Sequence, residues 1–202
     1  MLPEYETVIR RLETLHTLPA GGGQRVAALL RLQDLPKGGY FVRAGEIPTR
    51  IGYILCGWLQ YFYTNADGKK LVRYFCKGEN FVSSQSALTR GAPSAFSIQA
   101  LEDSKLVVFK YRDWLQLLET HPAWAIMHKT LVEQALMRSE ERERSLILDD
   151  AATRYRRFLE EFPGAEQHIK QYDIASYLGI SPVTLSRIRG SKAKARPRGK
   201  LA

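Results

Sequence analysis

The sequence predicts an α+β fold in which an N-terminal antiparallel β-roll of the jelly-roll kind is followed by one long helix and a compact, helical C-terminal end. Three observations predict it. Short segments rich in aromatic and β-branched residues, separated by glycine-containing turns, fill the stretch from Lys37 to Tyr111. That texture stops after Tyr111, and a helical pattern opened by Pro122 continues to Leu148. Close to the end, Gln171 to Arg189 reads QYDIASYLGISPVTLSRIR, two short apolar-faced helices about a glycine.

Taken in order, residues 1–30 read as helical, with Val8, Leu12 and Leu15 on one face. A break at Pro19 to Gly23 separates a second short helix over Arg25 to Leu32. Strands follow at Tyr40 to Val42, Ile51 to Tyr63, Lys70 to Cys76, Phe96 to Ala100 and Lys105 to Lys110, and a hairpin from Ile54 to Phe75 turns at Asn65-Ala66-Asp67-Gly68. Arg112 to Glu119 predicts a short helix, and the run through Trp124, Met127, Leu131 and Leu136 into Ser139 to Arg144 predicts a long one. A helix of that length joining two units is expected to pair with its copy in a homodimer. Asp149-Asp150 caps a further helix carrying Tyr155, Leu159 and Phe162, which Pro163-Gly164 ends. The expected division is a sensor roll over 1–120, a connecting and dimerisation helix over 121–148, a helix-turn-helix unit over 149–190 and a basic, unfolded tail over 191–202.

The chain has 202 residues and a net charge of +9. From Gln171 onward seven basic residues face a single acid, Asp173, so most of the surplus sits at one end. Lysines and arginines concentrated in this way gain affinity for a polyanion by releasing its counterions. No secretory signal and no membrane-length apolar run is readable, which predicts a cytoplasmic protein with no membrane contact. The two cysteines, Cys56 and Cys76, lie in strand-like stretches and read as small buried side chains.

The C-terminal segment carries the functional expectation. Ala175 sits where two helices cross closely, Gly179 permits the turn, and Ser181-Pro182 starts the second helix with a capping hydroxyl and a fixed φ. With Ile180, Leu185 and Ile188 facing inward, Val183, Thr184, Ser186 and Arg187 face outward and suit the major groove, Arg187 as a bidentate donor to a guanine. Gln171, Tyr172, Ser181, Arg189 and Lys192 complete the expected contacts to double-stranded DNA.

These residues resemble the Crp/Fnr family of transcription regulators, relatives of the catabolite activator protein. Gly45-Glu46, Gly57, Gly78 and Asn80-Phe81 match the turn residues of that family's cyclic nucleotide-binding-like roll, and Ser186-Arg187 matches its recognition residues. The resemblance implies a homodimer joined along the long helix and a winged helix-turn-helix reading two half-sites, with RNA polymerase a further expected partner. Two departures stand out. Val183 replaces a glutamate common in the family's recognition helix. In the phosphate cassette Ser84 falls at the glutamate position and Ser94, beside Ala95, at the arginine position. Ser83, Ser84, Gln85, Ser86, Ser94 and Ala95 are the candidate effector-binding residues, but no cation matches the cyclic phosphate, so tight cyclic AMP binding is not expected and the effector is left unassigned. No other cofactor is predicted.

An enzyme is not expected. The histidines are His16, His121, His128 and His168, none within the roll, which leaves no metal site of the cupin kind, and two cysteines do not hold an iron–sulfur cluster. The alternative class is a ligand-sensing module that docks a protein partner instead of DNA. The basic C-terminal end argues against it.

Overall fold

A computed structural model describes residues 1–195, with side chains through residue 190. Lys192 as a contact and the basic tail fall outside the described side chains. The chain opens with α1 (Pro3–Glu13) and α2 (Gly22–Leu29), then enters β1 (Arg31–Leu35), β2 (Tyr40–Val42), β3 (Arg50–Cys56), β4 (Trp58–Thr64), β5 (Lys70–Lys77) and β6 (Phe81–Val82). After α3 (Gln85–Arg90), β7 (Ser97–Ala100) and β8 (Ser104–Lys110) complete the roll. The rest is helical: α4 (Tyr111–Leu118), α5 (Pro122–Leu148), α6 (Ala151–Glu161), α7 (Ala165–His168), α8 (Gln171–Leu178) and α9 (Pro182–Ala195).

The roll consists of two four-stranded antiparallel sheets, ordered β1-β8-β3-β6 and β2-β7-β4-β5. Their inner faces bury Phe41, Ile54, Leu59, Ile98 and Leu106 against one another, as period-two strands with one apolar face require. The expected single stretch from Ile51 to Tyr63 is divided. Gly57, at φ +98°, separates β3 from β4, and a Cβ there would lie 2.2 Å from the Ser104 hydroxyl, so only glycine lets the chain pass. Two strands escaped prediction. Arg31–Leu35 is a polar, mostly exposed edge strand, and Phe81–Val82 spans two residues.

Each sheet is covered on its outer face. The α1, α2 and α4 helices and the start of α5 pack Val8, Leu12, Trp114, Trp124 and Met127 on Ile51, Tyr53, Val107 and Phe109 of the first sheet. The C-terminal helices pack Phe158, Phe162, Ile174 and Tyr177 on Trp58, Val72 and Phe75 of the second. Directed contacts join the latter pair: the Val72 amide donates to Ser176 Oγ at 2.9 Å, and His168 stacks on Trp58 while its Nδ1 lies 2.8 Å from a Glu102 oxygen.

The α5 helix begins as expected, with Pro122 in the first turn and His121 Nδ1 accepting from the Ala123 amide at 3.2 Å. Asp150 caps α6 by accepting from the Thr153 amide at 2.7 Å. Of the two cysteines, Cys76 is buried but Cys56, at the end of β3, is exposed, contrary to expectation. Among the described residues no strand follows Lys110, so the winged part of the expected fold has no hairpin there, and α7 occupies the connection between α6 and α8. No helix among the described residues is long and apolar enough to cross a membrane.

Candidate nucleic-acid interface

The α8 and α9 helices meet at a built corner. The Gly179 backbone adopts φ +65°, and the Gly179 and Ile180 amides donate to the Ser176 and Ala175 carbonyls at 3.1 and 3.0 Å, ending α8 in a tight reversal. Ala175 has no exposed surface, as a close crossing demands, and Leu185 on α9 is equally buried. Ser181 then starts α9. Its hydroxyl accepts from the Thr184 amide at 3.1 Å and lies 2.9 Å from the Thr184 hydroxyl. This cap fixes the first turn, the part of such a helix that meets base edges.

From that corner Ser181, Val183, Ser186 and Arg187 are exposed, Val183 at 62%, while Leu185 anchors the opposite face. A large exposed aliphatic residue beside a guanidinium on a short rigid helix suits a thymine methyl next to a guanine. Thr184 is half-buried and engaged in the cap. Gln171 and Tyr172, exposed at the start of α8, flank the same end of the motif. Arg189 departs from the expected set. It forms an ion pair with Glu166, its Nε donates to the Tyr155 hydroxyl at 3.2 Å, and it lies over the Tyr155 ring. A half-turn of helix separates Arg187 from Arg189, so one faces outward while the other is drawn to α6 and α7.

Two further residues position the corner, and nothing in the sequence pattern singled them out. Arg142 on α5 donates to the Tyr177 carbonyl and lies 3.8 Å from the centre of the Tyr177 ring, and Arg154 on α6 donates to the Leu178 carbonyl at 2.9 Å. Both guanidiniums thus sit at the C-terminus of α8, where the last carbonyls need donors and the helix dipole favours cations. Arg142 lies in the charged run of the long helix, and only the tertiary fold brings it to α8.

The cassette in the roll is assembled differently. Ser84 and Ser94 are buried, their hydroxyls lie 2.9 Å apart, and Ser94 donates onward to the Phe96 carbonyl at 2.7 Å. Ser83 and Gln85 are half-buried, Ser86 and Ala95 exposed. Within α3, Arg90 is exposed and donates back to the Ser86 carbonyl at 3.1 Å.

Residues 32–121 match the family described as cyclic nucleotide-binding domain. The match spans the roll, less than half of the chain. The chain as a whole has the fold of the Crp/Fnr regulators, since solved structures of that kind superpose on both its roll and its helical end. FixK2 from Bradyrhizobium japonicum aligns with a TM-score of 0.74 at 16% identity, covering 82% of this chain and 85% of its own. The c-di-GMP responsive global regulator CLP from Xanthomonas campestris aligns with a TM-score of 0.69 at 16% identity, over 91% and 96%. The catabolite activator protein of Thermus thermophilus gives 0.52 at 19% identity, over 96% and 84%. No curated protein matches the sequence.

The cyclic nucleotide of the family's name is tested by the cassette of this domain. A cyclic phosphate needs a cation to offset its desolvation, and a ribose hydroxyl needs an acceptor. Here both positions carry neutral hydroxyls that satisfy each other, and the nearby guanidinium is turned to the surface. The residues present do not fit a cyclic nucleotide. Among the described residues no group of histidines, cysteines and carboxylates is placed to hold a metal.

Proposed function

We propose that this chain is a cytoplasmic, sequence-specific DNA-binding transcription regulator acting as a homodimer, with α9 in the major groove and its state set by a signal at the roll other than cyclic AMP. The observation that carries the reading is the exposed row Val183, Ser186 and Arg187 on a helix whose start, bend and inner face are each fixed by a specific contact. Fixed geometry is what base readout requires. In this reading Arg187 reads a guanine, Val183 contacts a thymine methyl, and Gln171, Tyr172 and Ser181 meet the phosphate backbone. Lys192 adds a backbone contact.

The surface of α5 supports dimerisation through it. Val132, Leu136, Leu146 and Ile147 are exposed on one flank of the helix, with Ile147 at 72% and Leu136 at 56%. A lone helix does not leave such a stripe in water, and a second copy lying along it removes the stripe. A two-fold dimer then presents two α9 helices to two half-sites, and RNA polymerase is the partner through which a bound dimer acts on transcription. Selection of bound fragments from random double-stranded DNA tests the proposal. A palindrome with half-sites about 10 base pairs apart is expected, and the absence of any enriched sequence would refute it.

A further inference from the structure

A cavity of about 550 Å³ opens where α5, α6 and α8 meet the edge strand β5. Four guanidiniums line it: Arg138 and Arg142 from α5, Arg154 and Arg157 from α6. Its carboxylates do not neutralise them evenly. Glu141 is taken by Arg144 at 2.7 Å and by Arg157 at 2.7 Å, which together hold its carboxyl at about 2. Glu161 accepts from the Tyr177 hydroxyl at 3.3 Å and is pushed up by desolvation, and Glu160 is exposed to solvent at the rim. Arg142 gives one donor and Arg154 two to backbone carbonyls, which leaves each guanidinium further N–H groups, and among the described residues Arg138 has no hydrogen bond or ion pair.

Burial depresses the Arg142 pKa against the pull of Glu161, and a partly buried cation that shares one carboxylate gains when a further anion joins it. Half-buried Arg142 and Arg154, with exposed Arg138 beside them, converge from two helices and suit a tetrahedral oxyanion, which accepts from several directions, better than a planar carboxylate, which takes one fork. Met137 and Tyr74 add an apolar wall, and the volume falls in the range of small-molecule sites. The cavity lies on the flank of α5 opposite the exposed Val132 and Leu136 stripe, so a second copy seated on that stripe leaves it open.

We propose that this cavity is a binding site for an organic phosphate, with Arg138, Arg142 and Arg154 holding the phosphoryl group and Met137 and Tyr74 packing on the organic part. Titration calorimetry of the full chain with adenosine 5′-monophosphate tests occupancy directly and does not depend on whether the chain binds DNA. One saturable site per chain is expected, displaced by inorganic pyrophosphate. Arg138→Gln, which touches no contact of the fold, should weaken the affinity at least tenfold, and Met137→Trp, which fills the space from a surface position, should abolish binding with every charge in place. The proposal is overturned if adenosine 5′-monophosphate gives no saturable binding in the millimolar range, if both variants bind as the parent does, or if citrate displaces the nucleotide as well as pyrophosphate does.

Discussion

The Ser84 hydroxyl donates to Ser94 Oγ across 2.9 Å, closing the cassette of the roll on itself. Both side chains are buried, and Ser94 hands the chain of hydrogen bonds on to the Phe96 carbonyl. Cyclic AMP is therefore expected to show no micromolar binding by calorimetry. In Ser94→Ala the Ser84 hydroxyl is left buried without a partner, which should cost about 1–3 kcal/mol, read by urea denaturation. An unchanged stability would mean that the pair does not hold the cassette.

The bend between α8 and α9 rests on Gly179 at φ +65°. Gly179→Ala should cost about 1–2 kcal/mol, because a Cβ is disfavoured in the left-handed region. The space at this position is adequate, with the nearest atom, Leu146 Cδ2, 3.4 Å from a built Cβ. The loss should thus appear as backbone strain, with circular dichroism still helical and the midpoint of thermal unfolding lowered. No change in the midpoint would show that the left-handed turn is not needed.

Much of this corner was legible in the sequence. Ala175, Gly179 and Ser181-Pro182 are residue types whose local physics admits few alternatives, and the structure uses each as its chemistry suggests. The strands of the roll were legible where apolar residues alternate, and illegible at Arg31–Leu35, whose polar edge position erases the alternation. Arg189 shows a different limit. Its charge suggested a DNA contact, but the partner that decides its direction, Glu166, comes from another helix and leaves no mark on local pattern. Arg142 and Arg154 were hidden for the same reason.

Asp173 on α8 is 2% exposed, and its Oδ1 has no hydrogen-bond partner. Burial raises its pKa above the ordinary 3.8, against the opposing pull of Lys70 and Lys170. A carboxyl that holds its proton more tightly when folded weakens the fold as pH rises from its unfolded to its folded pKa, and the loss is then complete. Asp173→Asn should therefore raise the thermal midpoint at pH 7, with the gain shrinking toward pH 4. A lower midpoint at pH 7 would mean that the ionised carboxylate is stabilising after all.

Leu136 is 56% exposed at the middle of the apolar flank of α5. Replacing it with Asp places a charge in the proposed dimer seam and should convert the dimer to a monomer by analytical ultracentrifugation, with circular dichroism unchanged. A dimer that persists would move the interface away from α5.

The most direct test of DNA readout is the affinity of Arg187→Ala for the selected operator and for variants of it at each base pair. The account predicts a loss of about 1–3 kcal/mol confined to one guanine position of each half-site, where the variant no longer distinguishes the bases. An equal loss on every sequence, or no loss at all, would contradict it.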